Sequence, residues 1–308
     1  PNGIIGTPDG KILYVNDDEG KKTYRYLIQS DGSISNGTVF GNAGRDGITL
    51  DDQGNVFVCT WNTRVINVYN EDGQPIDALT MAVQCFNITR FGEDLNKLFV
   101  TAASTAIYSI ALIPRTVLRH DILGYTQPGA MIAEGAPNVN FGAAAEAFVG
   151  HHASSGTVRG VYAFPLDRVP YGNIVTNAVL KLRAMRRIGT AATVTLHRVT
   201  AAFDESSVTW QNASTGTPWA PGGAYDTTPL ATFVLTGTVN DTALYLSGTP
   251  LVQAVQAAVT VSEPFRFLLK SPDAEALGGD NYVVFGSNDN EFQHKRPMLT
   301  LDVVVPEP

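Results

Sequence analysis

The chain contains very little cysteine, with two cysteines among 308 residues. Two cysteines cannot form the dense disulfide framework that stabilises small secreted domains. We expect Cys59 and Cys85 to be buried free thiols, and one disulfide between them is the alternative for a chain in an oxidising compartment. Long hydrophobic runs are also lacking. No segment approaches the roughly 20 apolar residues that span a bilayer, so no membrane span is predicted.

Charge is scarce as well, since 16% of the residues are charged and the formal net charge is -8. An acidic chain of this kind is unsuited to binding nucleic acid or anionic lipid, because both are polyanions. No Gly-x-Ser-x-Gly segment accompanies the histidines, so no hydrolytic triad is predicted. The composition favours an extracellular β protein, and the length favours two domains.

A repeated pattern of strands and turns occupies the first third of the chain. Each unit has two apolar strands separated by a glycine-containing turn, which is a strong hairpin signal. The turns are predicted at Thr7–Gly10, Asp51–Gly54 and Gly92–Asp94, and the outer strands at Thr23–Leu27, Val65–Tyr69 and Ala106–Ile110. Units of about 40 residues built in this way are typical of β-propeller blades. Residues 1–112 are therefore predicted to form three blades, a partial propeller.

Three groups of motifs mark these blades. They are Pro1–Ile4 with Pro8–Lys11 and Leu13–Val15, then Asp46–Ile48 with Gly54–Val56, and finally Phe91, Gly92 and Asp94 with Leu98–Thr101. Together they resemble the six-bladed propellers of the senescence-marker-protein, gluconolactonase and luciferin-regenerating-enzyme superfamily. The resemblance implies that residues 1–112 form half of a six-bladed ring.

In that superfamily the corresponding Asn and Asp hold one divalent metal, and the Asp is the base for lactone opening. The resemblance implies that Asn2 and Asp46 are metal ligands, with calcium as the expected ion, and that Asp46 is catalytic. A cation held by oxygen ligands polarises a carbonyl, and a nearby carboxylate takes a proton from water. The third ligand of the superfamily, a glutamate, has no counterpart here. The alternative is structural: Asn2 caps a strand, and Asp46 caps its own loop.

A second all-β pattern, without the blade period, follows a predicted linker at residues 113–121. Alternating segments bounded by Gly, Pro, Asn or Ser predict the strands of a sandwich, at 147–150, 159–164, 177–183, 193–199, 231–235, 265–269, 282–285 and 299–303. One helix is predicted over residues 250–258, because Leu251, Val255 and Ala258 fall on one face.

A series of short motifs lies between residues 122 and 304. They are Asn140–Gly142, Leu196–Thr200, Asp204–Asn212, Trp219 with Pro221–Gly223, and Arg296–Leu299. This segment resembles the DNRLRE domain, a secreted jelly-roll β-sandwich related to carbohydrate-binding modules. One departure is Ala224, which stands where the family often has an acidic residue.

Two tryptophans of this segment are candidate carbohydrate-binding residues, since flat aromatic faces suit the apolar faces of sugars. Trp219 lies in a Pro/Gly loop, and loops often carry function. Trp210 ends an alternating stretch that starts at Ser206, so a core position is an equally good interpretation for it.

The end of the chain, residues 305–308, resembles the beginning of a PEP-CTERM sorting signal. The resemblance implies that the protein is secreted or held at the surface of a Gram-negative, polysaccharide-producing bacterium. Three blades leave strand edges unpaired, so a partner is also predicted. That partner is either the missing propeller half or another copy of the chain, and the second domain is expected to meet extracellular polysaccharide.

Two function classes follow from these features. In the first, the completed propeller hydrolyses a sugar lactone with a divalent metal, and the jelly roll tethers it to polysaccharide. In the second, the protein is a non-enzymatic structural or adhesive component, such as a filament or matrix subunit. The missing glutamate is the feature that separates the two classes.

Overall fold

The computed structural model describes residues 1–91, 97–103, 106–112, 115–122, 124–170, 172–190 and 193–305. The chain divides into two compact units, Pro1–Pro114 and Arg115–Pro308. Strands dominate both units, which confirms the predicted all-β class. Of the helices found in these ranges, none has both the length and the apolar character needed to cross a bilayer.

The first unit contains three antiparallel sheets, as the blade pattern predicts. The first sheet consists of β1 (Ile4–Gly6), β2 (Ile12–Asp17), β3 (Lys22–Ile28) and β4 (Ile34–Gly41). The second consists of β5 (Ile48–Leu50), β6 (Val56–Thr60), β7 (Val65–Tyr69) and β8 (Pro75–Thr80), with a 3-10 turn at Trp61–Thr63. The third consists of β9 (Cys85–Phe91), β10 (Lys97–Ala102) and β11 (Ile107–Ala111). Strands pair in sequence order, as in propeller blades.

Glycine closes the first turn of blades one and two. Gly10 has a φ of 67° and donates its N–H to the carbonyl of Thr7 at 2.9 Å. Gly54 has a φ of 82°, and a Cβ there would lie 2.1 Å from Oε1 of Glu71. Glycine adopts positive φ without the steric penalty of other residues. These two hairpins are therefore determined locally, whereas the third predicted turn, Gly92–Asp94, lies outside the described residues.

Strand β6 packs on both of its neighbouring blades, and all five of its residues are buried. Val56 and Val58 belong to the apolar cluster shared with blade one. Phe57 and Cys59 belong to the cluster shared with blade three. Successive side chains of a strand point to opposite faces, so one strand supplies both interfaces.

The second unit contains a long run of strands and two short helices. In chain order they are β12 (Thr116–Arg119), β13 (Gly129–Ala133), β14 (Glu146–His152), β15 (Gly156–Phe164), β16 (Ile174–Ile188), β17 (Thr193–Arg198), β18 (Asn212–Ser214), β19 (Thr217–Pro218), β20 (Ala231–Val234), β21 (Asn240–Ser247), α1 (Thr249–Thr260), β22 (Phe265–Lys270), α2 (Pro272–Leu277), β23 (Asn281–Gly286) and β24 (Met298–Val304). A 3-10 turn at Gln293–Lys295 precedes β24.

Eleven of these strands form one curled antiparallel sheet, in the order β12-β24-β16-β23-β14-β15-β22-β17-β20, with β13 paired to β15 and β21 to β16. The 15-residue strand β16 pairs with β24 through its first half and with β23 through its second half. In a β-sandwich, β24 and β23 would lie in two separate sheets. Here β16 pairs with both of them, so all of these strands belong to one sheet. The core inside it includes Phe164, Leu180, Phe267 and Phe285, together with Leu251 of α1.

Helix α1 confirms the predicted helix and extends it to Thr249–Thr260. Pro250 occupies its first turn, where the missing N–H is not needed by the helix. Leu251, Ala254, Val255 and Val259 are buried, so one face of the helix covers the sheet core. The short helix α2 was not predicted, because six residues are too few to show a clear helical period.

The predicted linker at residues 113–121 is corrected by strand β12. Residues 113 and 114 lie outside the described residues, but Thr116–Arg119 pairs with β24, with Thr116 opposite Leu301.

Strands β13 and β21 were also missed. The first, Gly-Ala-Met-Ile-Ala, is poor in the β-branched and aromatic residues that mark strands. The second is half exposed and has one buried residue, Leu246, so its apolar face is weakly marked. At the C-terminus, residues 306–308 of the proposed sorting signal lie outside the described residues.

Candidate functional site

Asn2 and Asp46 lie just before the first strands of adjacent blades. The N–H of Asn2 donates to the carbonyl of Asn16 at 2.8 Å, and the N–H of Asp46 donates to the carbonyl of Cys59 at 3.3 Å. Each residue therefore extends the first hairpin of its blade by backbone pairing. Strands β1 and β5 are neighbours in space, so this extension brings the two side chains together.

The two predicted metal ligands lie next to each other. Nδ2 of Asn2 donates to the carbonyl of Arg45, the residue before Asp46, at 3.1 Å. The Asn2 amide also lies near enough to the Asp46 carboxyl to lower its pKa. An asparagine that only capped its own strand would not bond to the neighbouring blade in this way. The structure therefore joins the sequence-predicted pair across the boundary between blades one and two.

The electrostatic surroundings of Asp46 disfavour its ionised form. Burial raises the pKa of the Asp46 carboxyl, the negative charge of Asp18 raises it further, and the neighbouring Asn2 amide opposes both effects. Asp18 forms an ion pair with Arg45, with Nη1 and Oδ1 3.4 Å apart. A carboxylate with a raised pKa is a stronger base, and it gains more from a nearby cation than a fully solvated one.

The glycines of the Asn-Gly and Asp-Gly motifs permit this arrangement. A Cβ on Gly3 would lie 2.2 Å from the backbone oxygen of Asp46. A Cβ on Gly47 would lie 2.6 Å from the Cα of Asn87 in blade three. In both cases the obstacle includes backbone atoms, which cannot rotate away as a side chain does. The glycines let the inner strands of the three blades approach to within backbone contact.

Asn16 is a further residue of the site, and sequence analysis missed it. Its side chain is fully buried. Nδ2 donates to the carbonyl of Asp46 at 2.6 Å, and Oδ1 accepts from Oγ1 of Thr23 at 2.7 Å. Asn16 thus ties the loop that carries Asp46 to blade one. A signal was available, because Asn16 follows the buried Ile12 and Tyr14 at the strand period and occupies a core position in β2.

The chemistry of this pair suits a hard divalent cation, since carboxylate and amide oxygens are its preferred ligands. The number of ligands falls short, because calcium takes about six to eight oxygen atoms. Within the described ranges, no three His, Cys, Asp or Glu side chains converge on a position that would hold a metal. Asn2 and Asp46 therefore fit calcium as part of a ligand set.

Both cysteines are buried free thiols, as sequence analysis expected. They lie in the cluster between blades two and three, where the Cys85 thiol donates to the carbonyl of Val65 at 3.6 Å. The neighbouring Cys85 side chain and burial together raise the pKa of Cys59. The pair packs behind the Asp46 loop, whose backbone N–H bonds to the carbonyl of Cys59.

The two candidate carbohydrate-binding tryptophans lie in a second apolar cluster of the C-terminal unit. Trp210 is 8% exposed and Trp219 is 9% exposed. Nε1 of Trp219 donates to the carbonyl of Thr209 at 3.1 Å, and the guanidinium of Arg159 lies 5.2 Å from the centre of a Trp210 ring. Neither ring presents an open face to a sugar. Both tryptophans are therefore core residues, which is the alternative that the sequence allowed for Trp210.

The first unit is similar to known proteins. Residues 1–104 match the model of the SMP-30/Gluconolactonase/LRE-like region. Residues 1–104 are a gluconolactonase-like region. A curated relative, pentonolactonase XacC of Haloferax volcanii, is 27% identical over 110 residues. That alignment covers 33% of this chain and 38% of the relative, so the chain spans well under half of the relative's length.

Solved structures of similar proteins show the same partial coverage. A luciferin-regenerating enzyme is 25% identical, with a TM-score of 0.32 over 34% of this chain and 38% of that one. A gluconolactonase from Xanthomonas campestris is 23% identical, with a TM-score of 0.32 over 36% and 37% of the two chains. The calcium-binding protein regucalcin from Agrobacterium tumefaciens is 23% identical, with a TM-score of 0.31 over 33% and 38%.

Proposed function

We propose that the N-terminal unit is part of a propeller that hydrolyses sugar lactones with the help of a divalent cation, with calcium as the expected ion. The observation that carries this proposal is that Asn2 and Asp46 lie side by side across two blades, with the Asn2 amide bonded to the carbonyl of Arg45 at 3.1 Å. It brings together two oxygen-bearing side chains that the family resemblance names as ligands. The raised pKa of Asp46 supports the proposal, because it suits a proton acceptor.

When bound, the cation would polarise the lactone carbonyl and lower the pKa of a nearby water. Asp46 would accept the proton of the attacking water at a carboxylate oxygen. Asn2 donates to the carbonyl of Arg45 at 3.1 Å, and Asn16 donates to the carbonyl of Asp46 at 2.6 Å. The base is therefore fixed to blade one at two points, which reduces the reorganisation needed during the reaction.

A six-bladed ring requires blades in addition to the three of this unit. We propose that another part of the same protein, or a second copy of the chain, supplies them together with the remaining metal ligand. The surfaces of the first and third blades support this proposal. Ile4 in β1 is 64% exposed and Ile107 in β11 is 61% exposed, so each blade has apolar surface available for packing.

For the C-terminal unit we propose a role in binding extracellular polysaccharide, in a protein that is secreted or held at the cell surface of a Gram-negative bacterium. The DNRLRE-like motifs between residues 122 and 304 support this role, and so does the low charge of the whole chain. The all-β architecture is compatible with a module that folds around its own core.

A non-enzymatic structural or adhesive role, as a filament or matrix subunit, is the second candidate. The partial ligand set around Asp46 favours it, because among the described residues no three His, Cys, Asp or Glu side chains converge there. In that case the contact between Asn2 and Asp46 would serve only to join two blades.

The test uses the full-length natural protein that contains this sequence. Hydrolysis of glucono-δ-lactone is followed in a pH-stat with and without added calcium chloride. Asp46→Asn should lower the rate by about 100-fold or more, since general-base catalysis supplies at least this factor. Asp77→Asn is the matched control, because Asp77 is exposed on the outer strand β8 of the same blade.

Calorimetric titration with calcium separates the two candidates. The lactonase proposal predicts that Asp46→Asn weakens calcium binding by about tenfold or more, whereas Asp77→Asn leaves it unchanged. A folded full-length protein that neither binds calcium nor hydrolyses the lactone would refute the enzymatic proposal and favour the structural role.

A further inference from the structure

An open pocket of about 300 Å³ lies in the C-terminal unit, beside strand β17. Thr195 and His197 of β17 form its floor, and both are buried. Tyr225, Thr227 and Lys270 are among the residues that line the remainder, along with two prolines. A volume of this size is at the lower end of small-ligand sites and accommodates about one sugar ring.

Lys270 gives the pocket a positive charge that is incompletely balanced. Glu275, which does not line the pocket, binds Arg159 through both of its oxygens, at 3.0 and 2.9 Å. Nζ of Lys270 approaches the same carboxylate at 3.3 Å. One carboxylate thus serves two cations, and Arg159 holds it in the stronger, bidentate geometry. None of the pocket-lining residues carries a carboxylate, so an anionic group in the pocket competes for Lys270 only with a carboxylate that Arg159 already binds through two bonds.

The floor of the pocket is polar but uncharged. Nδ1 of His197 lies 2.9 Å from the carbonyl of Asp226, which can only accept, so Nδ1 carries the proton. Nε2 then accepts from Oγ1 of Thr195 at 2.9 Å. Burial lowers the pKa of His197, and the charges of Lys270 and Arg159 lower it further. The Thr195 oxygen is left with lone pairs that suit a ligand hydroxyl.

Tyr225 adds an aromatic wall to this polar floor. Nζ of Lys270 lies 5.5 Å from the ring centre, and 3.3 Å from the ring hydroxyl. The His197 ring meets the Tyr225 ring edge to face at 5.2 Å. The ring is therefore held in place by its neighbours, and its position requires little ordering when a ligand binds.

From this lining we infer that the pocket binds an acidic sugar, a polyhydroxylated ring that carries a carboxylate. The carboxylate pairs with Nζ of Lys270, the hydroxyls bond to Thr195 and Thr227, and the apolar side of the ring contacts Tyr225 and the prolines. This inference rests on the proposed carbohydrate-binding role of the C-terminal unit and specifies its ligand class. The acidic sugar is either a free sugar acid or a unit of a polysaccharide.

The test is calorimetric titration of the full chain with galacturonate, trigalacturonate and their neutral counterparts, galactose and galactotriose. We expect the acidic saccharides to bind at least about tenfold more tightly than the neutral ones, because a charge-assisted bond to Lys270 is lost in the latter. Tighter binding of trigalacturonate than of the monosaccharide would identify a polysaccharide as the source, and equal binding would identify a free sugar acid. Both outcomes support the inference.

Three variants assign the effect to this pocket. Lys270→Gln should remove the preference for acidic saccharides, while Lys295→Gln, at a lysine that lies over the ring of Phe292 and does not line the pocket, should retain it. Thr227→Trp should abolish binding of every saccharide by filling the pocket. Thr227 is exposed, so this variant should keep the wild-type melting temperature even if Lys270→Gln does not fold.

Two results would overturn the inference, and they have different consequences. Equal affinity for acidic and neutral saccharides, or an unchanged preference in Lys270→Gln, would overturn the ligand class alone. No binding of any saccharide would overturn the proposed carbohydrate-binding role as well. Neither result bears on lactone hydrolysis by the N-terminal unit, which is measured separately.

Discussion

Replacing Asn16 with alanine should destabilise the N-terminal unit by about 2 to 4 kcal/mol. The Asn16 side chain is fully buried and bonds to the carbonyl of Asp46 at 2.6 Å and to Oγ1 of Thr23 at 2.7 Å. The Asp46 carbonyl would lose this donor, whereas Thr23 keeps the carbonyl of Ala43 as a partner at 2.6 Å. An unsatisfied group costs about 1 to 3 kcal/mol, and the vacated volume adds to that cost. Water entering the vacated space would recover part of that loss, which sets the upper end of the expected range.

The assay is urea unfolding of the full chain, followed by hydrogen exchange of peptides from residues 1–91. With a urea dependence of about 2 kcal/mol per molar, the midpoint should fall by about 1 to 2 M. Peptides from residues 124–170 should keep their wild-type midpoint. Asn42→Ala is the matched control, because Asn42 is exposed and its loss should change stability by less than about 0.5 kcal/mol.

A second substitution separates lost bonds from lost volume. Asn16→Asp preserves the shape but replaces the donor with a carboxylate that faces the carbonyl of Asp46. It should be at least as destabilising at neutral pH and should recover partly in acid, where the carboxyl again carries a proton. If Asn16→Ala unfolds within about 0.2 M urea of the wild type, the conclusion that Asn16 anchors the Asp46 loop is wrong.

Four further outcomes are expected. The pKa of Asp46 is raised in the folded unit, so ionisation of its carboxyl destabilises the fold as the pH rises through the folded-state pKa. Asp46→Asn should therefore raise the urea midpoint at pH 7. Below about pH 3, where the carboxyl is protonated in both states, the midpoint should be unchanged. Gly3→Ala should lower the melting temperature because its Cβ would lie 2.2 Å from the Asp46 oxygen, whereas Gly6→Ala, with its nearest contact at 3.7 Å, should be tolerated. Trp219→Phe should cost about 1 to 2 kcal/mol through the lost bond to Thr209, with saccharide affinity unchanged in titration. A thiol reagent should leave Cys59 and Cys85 unmodified in the native chain and modify both in urea, and a failure to modify them in urea would reveal a disulfide.

The blades were largely predictable because their signals lie within a few residues of one another. The alternation of side chains over Val65–Tyr69 predicted both the first and the last residue of strand β7 correctly. The turn at Thr7–Gly10 followed from a glycine that adopts positive φ. In the second unit, the same local signals located the predicted strands but not β21, half of whose residues are exposed.

The candidate site was predictable only in part. The motifs around Asn2 and Asp46 were visible in the sequence, but their contact depends on how closely two blades pack. Asn16 was overlooked because an asparagine at a core position becomes informative only when its buried partners are known. Trp210 and Trp219 were named as candidate binding residues but are buried. An aromatic residue in a Pro/Gly loop, such as Trp219, gives no local indication of whether it is buried.

The sequence by itself determined the all-β class, the blade hairpins, helix α1 and the motifs that residues 1–104 share with the gluconolactonase-like region, because alternation, turn glycines and motif spacing act between near neighbours. Only the tertiary structure decided that Asn2 and Asn16 bond to the loop that carries Asp46, that one long strand joins the strands of the second unit into a single curled sheet, and that Lys270 shares Glu275 with Arg159. These contacts join residues that are far apart in the chain. They depend on strand register and on packing, which local patterns do not specify.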